Sequence, residues 1–241
     1  MSRHVYLYSG ILILLLLSAC GPKIKIPPKM DLTKYERVGV IGFSCNAEGN
    51  LDEYATRRFL ITMNAYQKKA HIVELGSAEE VLQSGFFEEI TPEAIRAIGE
   101  DYSVDAVFTC KLQITEIKPL FKVYRDGPRP ASGKTQIAGR RASADVKAWM
   151  TANLWETELG ATVWRTSAHG QEMVDQVTVV SDQEVVFDAK DPQEAFWDLV
   201  HPMIKKICDD FRTKHKRIEE NQQIDTSEHK DYLPEEKNEP G

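Results

Sequence analysis

The sequence predicts an α/β fold: a single, three-layer-like domain with a mixed sheet, its N-terminal half parallel through crossover helices. Three observations predict it. Between residues 38 and 117, β-branched runs alternate with segments of helical period, an order that favours parallel pairing through right-handed crossovers. Residues 145–169 then alternate apolar and polar around a short turn, as an antiparallel hairpin does. Last comes an amphipathic helix that opens near Pro192.

The first element stands outside that fold. Arg3 precedes an apolar run at residues 5–17 (VYLYSGILILLLL), and small Ser18 and Ala19 lead to Cys20. Leu17-Ser18-Ala19-Cys20 reads as a lipobox, which directs lipid to the cysteine and cleavage just before it. Residues 1–19 are then a lipoprotein signal peptide. A 13-residue helix spans only about 20 Å of a roughly 30 Å hydrocarbon layer, which disfavours an uncleaved anchor. Several acyl chains on Cys20 hold stably, at about 0.8 kcal/mol per buried CH₂. Gly21, not Asp, follows Cys20; in a host with two membranes this favours the outer one, with the domain facing the periplasm. Residues 20–34, rich in Pro and Lys, read as a lipidated tether.

The α/β domain is expected over residues 35–214. Val38 to Phe43 (VGVIGF) suits a strand buried on both faces. Leu51, Ala55, Phe59, Met63 and Tyr66 recur at helical spacing, and residues 71–75 (HIVEL) form a second strand. Ser77 with Glu80 is a capping box. Thr91, Pro92 and Glu93 open another helix, running through Ile95 and Ile98 to Tyr102. Residues 105–117 alternate, with Ala106, Phe108, Cys110, Leu112 and Ile114 on one face. In the hairpin, Val146, Ala148, Met150, Ala152 and Leu154 oppose Lys147, Trp149, Thr151, Asn153 and Trp155, and residues 157–160 (TELG) make the turn. Residues 173–187 read as a strand or an ordered loop. Asp191 caps the last helix, with Pro192 at its first position and Glu194 at its third; Phe196, Val200, Ile204, Ile207, Cys208 and Phe211 make its buried stripe. Residues 215–241 are a charged tail with too little apolar surface to offset ordering entropy.

Removing residues 1–19 from the 241 leaves a chain long enough for one good core or two small ones. A net charge of −7 argues against general nucleic-acid binding. After processing, Cys45, Cys110 and Cys208 remain, an odd number, so at least one thiol stays free or pairs between chains. Cys110 and Cys208 fall on apolar faces and read as buried small hydrophobes.

Chemistry is sparse. No GxGxxG, Walker, HExxH or GxSxG motif occurs, and no cysteine pair has metal-ligand spacing, so no cofactor, metal site or catalytic residue is predicted. His71 opens an apolar strand, and Ser167 and His169 on one strand project in parallel rather than towards each other. His201 takes a core or surface role, and Glu88, Glu89, Glu93, Glu100 and Asp101 lie at caps or on solvated faces. Two candidate partner-binding features remain. Trp149, Trp155 and Trp164 form either a cross-strand cluster that stabilises the hairpin or an aromatic patch for a partner. Residues 118–141 carry Lys118, Lys122, Arg125, Arg129, Lys134, Arg140 and Arg141 against Asp126, either a merely solvated loop or a basic one suited to anionic head groups, peptidoglycan carboxylates or an acidic protein surface.

The segments VGVIGF (38–43), AIRAIGEDYSVDAVF (94–108) and GATVWRTS (160–167), behind a lipobox, resemble the envelope lipoproteins related to the curli secretion channel subunit and to the outer-membrane lipoprotein activators of penicillin-binding proteins. The resemblance covers about residues 37–165. It implies a helix that turns through Asp105-Ala106-Val107 into a sheet strand, and a hairpin strand placing Trp164 four residues after Gly160. Cys110 departs from the glycine of many relatives, and the basic loop is too rich in Gly and Pro for a pore-forming hairpin. The function expected is that of a non-enzymatic, lipid-anchored envelope protein. It would bind an envelope protein or a peptidoglycan-associated partner as an accessory or regulatory factor, in cell-wall synthesis or an export assembly. The alternatives are an oligomeric structural subunit of a secretion complex, which would make the chain a homo-oligomer, and an enzyme with an unrecognised site.

Overall fold

The computed structural model describes residues 23–121, 142–179 and 185–217. The chain divides into two compact units, Pro28–Arg212 and a second built from the chain's two ends. In the second, β1 (Lys23–Ile26) pairs antiparallel with β9 (Lys214–Arg217), Lys23 opposite Arg217 and Ile26 opposite Lys214.

The larger unit is built on one sheet of order β4 (His71–Gly76), β2 (Arg37–Ile41), β5 (Ala106–Phe121), β6 (Ala142–Glu156), β7 (Ala161–Val179), β8 (Val185–Val186), with β3 (Ser44–Cys45) pairing β5 beyond the end of β2. Central β2 is parallel to both β4 and β5. The chain travels from β2 outward to β4 through α1 (Leu51–Tyr66), then back past β2 to β5 through α2 (Ala78–Ser84) and α3 (Pro92–Tyr102). Two crossovers of one hand in opposite directions must lie on opposite faces of a sheet. They do. Val38, Val40 and Phe108 pack with Leu51, Phe59 and Met63 of α1, whereas Ile41 and Val107 pack with Val81, Ile95 and Ile98 of α2 and α3.

β5, β6 and β7 form a long antiparallel meander, closed by short β8. α4 (Pro192–Cys208) then returns to the α1 face, burying Phe196, Leu199, Val200, Met203, Ile204, Ile207 and Cys208. The predicted α/β fold with a mixed sheet is the one observed. Each predicted cap forms as well. Ser77 and Glu80 make the reciprocal capping box, Thr91 Oγ1 accepts from Ala94 N–H at 3.2 Å, and Asp191 accepts from Gln193 and Glu194 N–H.

Three boundaries differ from the sequence reading: residues 118–121, read there as loop, continue β5 to Phe121 by pairing with β6, and both ends of the domain shift. The stretch 20–34, taken there as tether, contributes Leu32 to the core at 0% exposure. Buried Gln67 explains this: its Oε1 accepts from Leu32 N–H while its Nε2 donates to Phe211 O at 2.6 Å, tying both flanks to α1. At the other end, residues 214–217 of the charged segment pair as β9, because backbone pairing requires no apolar side chains.

Two glycines mark close approaches that fix α3 to the hairpin turn. A Cβ on Gly99 would lie 2.4 Å from Thr157 Cβ. Gly160 has φ +64°, and a Cβ there would lie 2.4 Å from Pro92 O. Buried Thr157 completes the joint, its Oγ1 donating to Val104 O at 2.8 Å.

Candidate functional site

The layer formed by α2 and α3 covers only part of its side of the sheet. Beyond it, the odd-numbered residues of β5, β6 and β7 face outward in cross-strand rows. Thr109, Asn153 and Arg165 align, then Lys111, Thr151 and Ser167, then Gln113, Trp149 and His169. Trp149 is the exposed centre of this face, at 41%. Its ring stacks on the opposed His169, centroids 5.8 Å apart and planes 18° from parallel. Lys111 lies one row from it and Arg165 two rows away towards the same end, both exposed and without an ion-pair partner among the described residues.

Farther along, Glu116 accepts from Lys118 at 2.6 Å and from Lys147. These bonds lower its carboxyl from the ordinary 4.5 to about 2, Lys118 contributing most, and raise Lys118 in return. Asp145 accepts from Gln171 Nε2. Glu116 is thus held by two lysines, and the cation nearest Trp149 towards the α2–α3 layer is Lys111.

The three candidate tryptophans do not share one patch. Trp155 is half-buried beside the α2–α3 cluster, its Nε1 donating to Thr109 Oγ1 at 2.9 Å. Trp164 points to the other side of the sheet, into the core at 9% exposure. Its ring meets Phe211 at 4.7 Å and Phe108 at 6.1 Å, and its Nε1 donates to Asp210 Oδ2. A register shift between Leu154 and Trp155 is the cause. Trp155 pairs with Thr162 but Leu154 with Trp164, leaving Val163 as an extra residue. Without that bulge Trp164 would oppose Asn153 and share the outward face; with it, Trp164 opposes a core leucine. The same shift sets His169 opposite Trp149, a partner the sequence reading missed. Only the bulge position could have revealed it.

Cys20 and the basic-loop residues Lys122, Arg125, Arg129, Arg140 and Arg141 lie outside the described residues. Lys118, read from sequence as part of that loop, instead lies in β5 opposite Asp145 and is the Glu116 partner described above.

Other chemical groups are placed structurally. No hydrogen bond joins Ser167 to His169 among the described residues. His201 stacks on Trp197, centroids 4.1 Å apart, with the Arg58 guanidinium 4.0 Å from the Trp197 ring centre. Burial, then Arg58 and Lys205, lower the His201 pKa. His71 lines a cleft of about 680 Å³ with Glu36, Arg37, Arg96, Glu100 and Asp105. There the Asp105 carboxylate accepts from the backbone N–H of Glu36 and Arg37, a role in strand entry. Cys45, Cys110 and Cys208 are free, and burial raises all three thiols. Among the described residues no group of three or more His, Cys, Asp or Glu could hold a metal ion, and no helix is long and apolar enough to cross a membrane.

No family model matches the chain, and no curated protein matches it. Solved structures do. The chain is similar to the PelC dodecamer from Paraburkholderia phytofirmans, at 12% identity over 80% of this chain and 99% of that one, with a TM-score of 0.38. It is similar to lipoprotein GNA1162 from Neisseria meningitidis, at 14% identity over 57% and 83%, with a TM-score of 0.33. It is similar to the LpoB C-terminal domain from Salmonella enterica, at 11% identity over 61% and 86%, with a TM-score of 0.34.

Proposed function

We propose that this chain is a lipid-anchored, non-enzymatic protein of the bacterial cell envelope that binds another envelope component and carries a docking surface on the uncovered face of β5–β7. Its role is that of an accessory or regulatory factor in cell-wall synthesis or an export assembly. One observation carries the docking surface: Trp149 stands 41% exposed on the sheet, stacked on His169, with Lys111 one cross-strand row away and Arg165 two. A pinned aromatic among polar residues is the composition of an interface hot spot, since little side-chain entropy remains to be lost on docking. Lys111 and Arg165 favour a partner with an acidic rim. Anchoring rests on the lipobox ending at Cys20, and the outer-membrane address on Gly21 in the position after it.

Two measurements test this reading. Metabolic labelling with palmitate should tag the wild-type chain and not Cys20→Ser, which should also leave the membrane fraction. Combining Trp149→Ala with Lys111→Glu should reduce crosslinked partner by roughly tenfold or more while the fold persists. Undiminished crosslinking would place the docking surface elsewhere.

A further inference from the structure

Phe86 has no role in the fold described so far. It is 96% exposed, more than any other large apolar side chain among the described residues. It follows α2, where Phe86 N–H donates to Gln83 O and Phe87 N–H to Leu82 O. Those paired bonds end a helix through one left-handed residue, a position at which glycine is the default. Here the left-handed residue is Phe86, at φ +60°, although Gly85 stands beside it at φ −95°. Strain of this kind persists where surrounding structure or function requires it. Glu88 and Glu89 follow, both exposed and without an ion-pair partner among the described residues.

Charge and geometry select what meets it. An apolar knob with an acidic collar is repelled by anionic lipid and suits an aromatic surface flanked by cations. The chain carries such a surface in Trp149, His169, Lys111 and Arg165. Val107 packs under α2 and α3, and Trp155 packs beside them; these residues share strand faces with Lys111 and Trp149. Knob and uncovered face therefore lie on one side of the sheet. Two copies related by a two-fold axis could then make both contacts at once, the self-complementary closure of a symmetric dimer.

We propose that a second copy of this chain occupies the uncovered face, Phe86 of each copy seating against Trp149 and His169 of the other. Glu88 and Glu89 then oppose Lys111 and Arg165. This rests on the reading that the uncovered face is a docking surface, and it names the occupant.

The test uses the full chain in cells. A photoreactive benzoylphenylalanine at position 149 should give a dimer-sized product whose crosslinked peptide contains residue 86. Glu88→Lys with Glu89→Lys should reduce that dimer by roughly tenfold, as should Lys111→Glu with Arg165→Glu, and all four together should restore it. Phe86→Gly should abolish the dimer while the thermal midpoint holds or rises by a few degrees, because glycine relieves the strain. Crosslinking from 149 to a different protein would overturn the second copy yet keep the face as a docking surface. A dimer crosslinked at other peptides would overturn the proposed seating, and absence of any protein crosslink would overturn both readings.

Discussion

The two faces of the β5–β7 meander come from the same residues in alternation and have opposite fates. One carries Ala144, Val146, Ala148, Met150, Ala152 and Leu154 under α1 and α4. The other carries Lys147, Trp149, Thr151 and Asn153, and no helix covers its outer part. Two tryptophans make the contrast sharp. Trp164 meets Phe108 and Phe211 and donates to Asp210, whereas Trp149 has His169 as its ring partner and otherwise faces solvent. An indole is therefore not a core residue by composition; where the helices land, and which side the register presents, decide it.

Breaking the register should have the largest effect. Deleting Val163 removes the bulge and turns every β7 residue beyond it to the opposite face. Loss of the near-UV circular dichroism of the native fold is expected; a native-like spectrum would mean that the bulge reforms elsewhere. Trp164→Ala comes next, costing about 3–5 kcal/mol in urea unfolding through the cavity it leaves. Thr157→Val removes a buried donor to Val104 O at the α3–hairpin joint, for about 1–2 kcal/mol by the same measurement. Trp149→Ala should cost less than about 1 kcal/mol, so a loss as large as that of Trp164 would erase the distinction between the faces.

The smallest effect is electrostatic. The folded pKa of Glu116 lies near 2, below its ordinary 4.5, so its lysine contacts stabilise fully above about pH 4.5 and fade as pH falls toward 2. Glu116→Gln should flatten the stability profile in that window. A Glu116 carboxyl that titrates near 4.5 by NMR would show that these exposed contacts do not persist in solution.

Much of this architecture is legible in sequence because its causes are local. Thr91, Ser77 and Asp191 announce helix starts through hydrogen bonds that span three residues. Period-two alternation identifies the face of Ala106, Phe108 and Leu112 without any knowledge of neighbours. The site is less legible because its causes are pairwise. Nothing in residues 161–169 signals that Val163 is the extra residue, yet that residue decides which face Trp164 takes and whether His169 or Ala168 lies opposite Trp149. Residues 214–217 show the same limit, since a strand held by backbone pairing leaves no apolar pattern to read. Phe86 is hidden for the opposite reason: Gly85 is the obvious left-handed residue, and the chain takes that conformation one position later.

The β1–β9 ribbon has a practical consequence. Because Lys23 lies opposite Arg217, the polypeptide enters and leaves this ribbon at the same end. Cys20 precedes Lys23 by three residues, at most about 10 Å of extended chain. With lipid on Cys20, a reporter or affinity handle appended after Gly241 would branch from a root beside the bilayer, not from a point raised above it.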